Sequence, residues 1–376
     1  MRKEDGMEKR CMLLIFPFLI MSGAVQAAAP SYDAYGSWLV ACDNALTCEA
    51  KGFLLGDDVT SIMSDKEPET APVNGAVDLR FIRGAGPNGV IEARLTADFS
   101  FGLSDLRMDG TPLLLDRSAW TLNTRDGVST LFSKRPEVVA MFVAQLCNAN
   151  RVQVGDAIVP LSGLSAALLR MDDRQGRVGG ATALIGMGPK AADLVPPAPL
   201  LSPVPSAQHA ILLARMERDR LLAWTKRAQA RFIKKQGCDS PDQETGDLLE
   251  AEVYGLDKNN ALVLVGCRVA AYQDMFLVFV VPRTGHGRPE PAGLPGPVLS
   301  KKDTGDEGGV VVSPDFDGGT ATLTDFYKGM GQAYCGASHA WRWDGHHFVL
   351  TGMTFQLGCG GSASGDWPTL YRSKVQ

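Results

Sequence analysis

Apolar and polar residues alternate with a period of two along most of the chain, and the stretches that break this rhythm mark its helices and connectors. From Tyr35 to Leu54, GSWLVAC and CEAKGFL alternate as strands around a short Asp43-Asn44 turn. Val77, Leu79 and Phe81 repeat the pattern in AVDLRFIR, and GVIEARLTADF continues it. In LRMDGTPLLLD, Asp109-Gly110 stands between two apolar arms, which predicts a hairpin. The period then changes. Pro136 to Asn148 reads as a helix with an apolar stripe of Val138, Val139, Phe142, Val143 and Leu146. Val152 to Pro160 reads as a hairpin around Gly155-Asp156, and Ser162 to Arg170 as a second helix, with Ser162 or Ser165 placed to cap it.

Six prolines between Pro189 and Pro205 exclude a helix interior or a central strand there and predict an extended tether. The longest helical signal follows, with Leu221, Trp224, Ala228 and Phe232 on one side, many Lys and Arg on the other, and Gly237 as its stop. That basic side is expected to be solvated, with contact to anionic lipid or a partner as the alternative. Beyond it LEAEVYGL, ALVLVGCRVAAY and MFLVFVVP are strand-like, a proline- and glycine-rich loop runs from Pro282 to Pro297, and Asp344-Gly345 marks another hairpin.

The N-terminus changes the picture from fold to compartment. Basic residues at Arg2, Lys3, Lys9 and Arg10 precede an apolar run from Cys11 to Met21, and Val25-Gln26-Ala27 offers a signal-peptidase site, so residues 1–27 are expected to be an export signal, with Met7 as an alternative start. No later apolar stretch approaches the length of a membrane span, so none is expected after cleavage. Lys+Arg 37 against Asp+Glu 42 gives a net charge of −5, which argues against a nucleic-acid partner. Seven cysteines lie beyond the signal, and three bridges with one thiol left over allow 105 arrangements. Loop closure favours near neighbours: Cys42 with Cys48, Cys238 with Cys267, Cys335 with Cys359. Cys147 is then a free thiol, expected to be buried and inert on its helix.

Several phrases together carry a resemblance. YGSWLVACDNALTCEAKGF from Tyr35, LSGLSAALLRMDDRQGRVGG from Leu161, CRVAAY from Cys267, and the closing CGASHAWRWDGHHFVL and CGGSASGDWPTLYRS resemble the bacterial family known as domain of unknown function 1176. The resemblance implies a periplasmic or secreted protein with six family cysteines, at Cys42, Cys48, Cys238, Cys267, Cys335 and Cys359. Tyr334 and Gly360 depart from the family's usual aspartate and arginine beside the last two of these. The first lobe alone is similar to the invasion-associated locus B family, through Trp38, the first two cysteines and the Leu161-Ser162-Gly163 phrase; that likeness implies an envelope protein without a catalytic centre.

Candidate chemistry is sparse. No G-x-S-x-G elbow or phosphate-binding loop is present, His346 and His347 are adjacent and so diverge on a strand, and Asp315, Asp317 and Asp325 lack the ligand series of a calcium loop; no metal or cofactor is expected. Two surfaces remain. Asp172, Asp173, Arg174 and Arg177 in MDDRQGR, after the second helix, are candidates for holding a polar ligand. Trp341, Trp343, Trp367 and Tyr371 in the tail are candidates for a recognition platform for glycan or protein.

The expected fold is α+β: a signal over 1–27, a β-rich lobe over 31–188, a proline-rich linker over 189–206, a long helix over 207–237 and a second β-rich lobe over 238–376. The expected function is non-catalytic binding in the envelope, of a protein or glycan, at the inter-lobe cleft or the aromatic rim. The alternative is a hydrolase of an envelope polymer using Asp172 or Asp173 as acid and base. Oligomeric state is left open by the sequence.

Overall fold

A computed structural model describes residues 28–55, 76–206, 210–238, 250–270, 272–297, 309–362 and 365–374. The expected export signal at 1–27 lies outside the described residues. The chain is β-rich, with few helices and three disulfides. Among the described residues the strands form four antiparallel sheets, a finer division than two β-rich lobes.

The first sheet has seven strands, in the spatial order β1 (Ser31–Tyr35), β2 (Trp38–Cys42), β3 (Cys48–Phe53), β4 (Val77–Arg83), β5 (Ile91–Ala97), β9 (Val128–Ser133) and β8 (Thr121–Arg125). Cys42 pairs directly with Cys48 across β2 and β3, which places the two sulfurs for a bridge. A small second sheet follows: β11 (Ala157–Pro160), β10 (Arg151–Val154), β6 (Leu106–Met108) and β7 (Thr111–Pro112), with the Asp109-Gly110 turn where the alternation put it. Between and over these sheets lie α1 (Pro136–Leu146) and α2 (Leu164–Arg174), burying Val139, Phe142, Leu146, Leu164, Leu168 and Met171.

The second half has three layers. Its central sheet comprises β12 (Glu252–Gly255), β13 (Asn260–Ala270), β14 (Gln273–Pro282) and β15 (Glu290–Pro291), with β16 (Val310–Val312) on β14. The β13 sequence NALVLVGC is nearly all apolar because both faces are covered. Ala261, Val263 and Val265 face the helices α3 (Arg215–Ala228) and α4 (Ala230–Lys235). Leu262 and Leu264 face the fourth sheet, β17 (Asp315–Asp317), β18 (Thr322–Lys328), β19 (Gly336–Trp343), β20 (Phe348–Gln356) and β21 (Thr369–Arg372).

Four local expectations are corrected. The second helix starts at Leu164 and runs to Arg174, so Asp172, Asp173 and Arg174 lie within it, not after it. Neither Ser162 nor Ser165 caps it: the cap is Gly163 at φ 97°, where any Cβ would sit 1.8 Å from the Tyr35 carbonyl oxygen. The long basic helix breaks at Gln229 (φ −108°, ψ 14°), whose side-chain amide donates to the Pro289 carbonyl. The proline-rich stretch is extended but fastened: Val204 N–H donates to Lys374 O and Lys374 N–H to Ser202 O, laying it beside the C-terminal strand.

Candidate functional site

Where the MDDRQGR segment sits, charge meets charge in the interior. Asp172 is 0% exposed; one carboxylate oxygen accepts from Arg83 Nη2 at 2.5 Å, and the other from the backbone N–H groups of Leu184 and Ile185 at 2.8 and 2.9 Å. Arg83 also donates to Gln175 Oε1 and Thr182 O. Arg177 is buried as well and donates to Thr182 Oγ1 and Gly86 O; burial first, and then the Arg83 charge, push its pKa down to about 10 despite Asp172. Asp173 bonds Arg170, which also holds Asp33, and Arg174 donates to Ala29 O. These contacts tie α2 to β4 and to the loop after it. With its oxygens occupied and no solvent access, Asp172 is unsuited to acid-base work on a polymer, and the cluster serves as internal bracing.

The aromatic tail is likewise turned inward. Trp341, Trp343 and Trp367 are buried, because alternation in β19 points the first two at the core of the second half. Their indole N–H groups donate to Pro295 O, Asp257 Oδ2 and Ala333 O, respectively. Tyr371 is half-buried against the same packing. The expectation of an open platform built from these four is corrected accordingly. Cys147 is corrected the other way: its thiol is free but exposed, because it follows the last helical turn of α1 and falls off the apolar stripe.

The joint between the first and fourth sheets holds a second charged cluster, which the sequence reading missed. Lys51 Nζ donates to Gln356 Oε1 at 2.7 Å and to Asp366 O at 2.9 Å, and lies 3.8 Å from Asp78. Asp78 takes a two-point pair from Arg80, whose other partners are Asp366 and Glu49, and accepts from Ser362 N–H and Oγ. Burial alone would raise the Asp78 pKa, but Arg80 and Lys51 overcome it and hold the carboxyl well below its usual range. In VDLRFIR these polar positions occupy what alternation assigns to a solvent face; here Gln356, Ser362 and Asp366 cover that face. Around this cluster the joint is filled with paired charge, and a small apolar recess between Tyr32, Trp38, Phe53 and Leu357 lies beside it.

An open cleft lies elsewhere, where the β19–β20 turn meets the third sheet. Its volume is ≈ 310 Å³, and its rim carries Arg288, His346, His347 and the carboxylate Glu290. Trp343 and Phe348, packed edge to face at 5.3 Å, and Val280 form its back. The turn is fixed by Asp344, which accepts from the backbone N–H groups of His346 and His347 at 2.8 and 2.9 Å and faces His347 Nδ1 at 3.3 Å. Burial would raise the Asp344 pKa, yet these amides and the two imidazoles lower it overall. Asp257 is lowered in the same way: its burial is outweighed by donors from Trp343, Asn259 and Asn260. The opposite wall, from Arg288 to Gly293, is held by the end of α3 and the break after it, through Gln229 on Pro289 O and Arg288 Nη2 on Ala228 O at 3.2 Å. His346 makes no side-chain bond among the described residues. The sequence signal for this site was the Asp344-Gly345 turn and the Pro282–Pro297 loop, far apart in the chain. No group of three or more metal-ligating side chains occurs among the described residues.

Comparison with known proteins agrees with the sequence motifs. The chain is 28% identical over 374 residues, spanning 96% of this chain and 98% of the other, to the "Uncharacterized protein YpfG" of Escherichia coli (strain K12). No solved structure matches. The family model described as "Protein of unknown function (DUF1176)" matches residues 32–374, and the chain belongs to that family.

Proposed function

We propose that this is an exported binding protein of the bacterial envelope, periplasmic or secreted, which holds a small anionic ligand, such as an acidic glycan fragment, in the cleft between Arg288 and His347. The observation that carries this reading is the cleft itself. It is ≈ 310 Å³ in volume, within the range of ligand sites, and sets Arg288, His346, His347 and the Asn260 amide against one carboxylate, Glu290, between walls stiffened from both sides. Three cystines support an oxidising compartment, since such bonds persist there. No described helix is long and apolar enough to cross a membrane.

Binding is favoured over turnover because the carboxylates first offered for catalysis are spent: Asp172 is sealed in the interior and Asp173 is paired with Arg170. Equilibrium dialysis against acidic and neutral fragments of envelope glycan tests the reading. Wild-type protein is expected to retain an acidic fragment unchanged, and Arg288→Ala to bind it at least about tenfold more weakly, as loss of a charge-assisted hydrogen bond implies. Retention of neutral fragments alone, or equal binding by the variant, overturns it; cleavage of the fragment replaces binding with hydrolysis.

A further inference from the structure

We infer that the outward side of α3 and α4 is a docking surface for the anionic face of a lipid bilayer. Both helices rest on one face of the third sheet through Leu221, Phe232 and Ile233, with Phe232 edge-on to Phe279 at 6.0 Å. Their opposite sides therefore point into the same solvent. That outward side carries Arg215, Lys226, Arg227, Arg231, Lys234 and Lys235, all exposed and without ion pairs among the described residues. Within the two helices the one exposed carboxylate is Asp219, because Glu217 is turned aside into a pair with Arg283. In a chain of net charge −5, this concentration of cations is a local inversion of sign.

A second feature selects the bilayer over other polyanions. Met216, in the first turn of α3, is 86% exposed, and Leu212, three residues before that helix starts, is 98% exposed, while the intervening Leu213 packs into the core. A soluble polyanion offers nothing to large apolar side chains, whereas the boundary between headgroups and acyl chains accepts them while the flanking cations meet lipid phosphates. Rigid seating keeps the surface presented: Arg220 donates to Arg283 O, and Gln229 to Pro289 O. The ligand cleft opens on the other, Val280 side of this sheet and is lined by no residue of the two helices, so the docking argument does not depend on the cleft being occupied.

Co-sedimentation of the oxidised protein with vesicles tests this, using phosphatidylcholine alone and a mixture with phosphatidylglycerol. Binding is expected to the mixture only and to weaken as salt is raised. Lys226→Glu/Arg227→Glu/Lys234→Glu/Lys235→Glu is expected to lower it by at least about a hundredfold, from the contribution of each cation near an anionic surface. Leu212→Ser/Met216→Ser is expected to lower vesicle binding but not retention on a heparin column. Thermal melts identify any variant that has not folded, and a milder Lys234→Gln/Lys235→Gln pair then takes its place. Absence of binding to the mixture, equal binding to the neutral vesicles, or an apolar variant that binds vesicles as well as wild type overturns the proposal; in the last case retention on heparin assigns the surface to a soluble polyanion.

Discussion

The buried charged residues in this protein are held by ion pairs or hydrogen bonds, and the cost of disturbing them follows from their burial. Asp78 is the buried carboxylate shared by Lys51 and Arg80, so Asp78→Asn leaves Lys51 without its ion pair and Arg80 with only Asp366 and Glu49, and is expected to lower unfolding free energy by about 3–5 kcal/mol in urea titrations. The pH dependence has a defined sign. Unfolded, Asp78 takes up a proton near the ordinary value of about 4; folded, it resists until well below that. Its contribution to stability is therefore present above the unfolded value and lost as pH falls toward the folded one. Glu49 and Asp43, raised chiefly by burial, act in the opposite sense. Subtracting the Asp78→Asn profile from that of wild type isolates the Asp78 part, which should decline below about pH 4. Such residues were illegible in the sequence because alternation separates the two faces of a strand but not solvent from a second sheet; Asp78 and Arg80 have the spacing of an exposed face and are covered by residues about 280 positions later.

Elements were more legible than their boundaries. The strands around Trp38, Val77, Ile91 and Leu262 follow from alternation or from continuous apolar runs, and the glycine turns at Gly110, Gly155 and Gly345 take the positive φ that hairpins need. Both first-half helices were found from their stripes. The start of α1 at Pro136 was legible as well, but the start of α2 was not, because it is set by tertiary contact: Gly163 meets Tyr35 O, and Gly36 meets Ser162 O, so turn and helix start lock together without a serine cap. Gly163→Ala is expected to cost more than about 1 kcal/mol, read as a lower melting temperature, since both the left-handed φ and the 1.8 Å approach oppose a side chain. The break at Gln229 was hidden for the same reason, its partner lying 60 residues away.

At the scale of the whole molecule, a first sheet with its small companion and a three-layered second half are joined by the Lys51 cluster and by a small apolar contact of Ala41, Met353 and Leu370. Cystine pairing was legible because bridges between near neighbours close short loops, here at separations of 6, 29 and 24 residues. The Cys335–Cys359 bridge anchors the segment whose Ser362 and Asp366 complete the buried cluster, so Cys335→Ser/Cys359→Ser should lose about 3 kcal/mol and expose the joint to proteolysis. The cleft was not legible as a site, since its two walls come from segments that meet only after the third and fourth sheets pack. The most direct test of its role is a map of amide chemical shifts as an acidic envelope-glycan fragment is added to the oxidised protein. Binding as described predicts saturable shifts concentrated at Asn260, Arg288, Glu290, His346 and His347; shifts confined to other parts of the molecule, or none at saturating fragment, would contradict it.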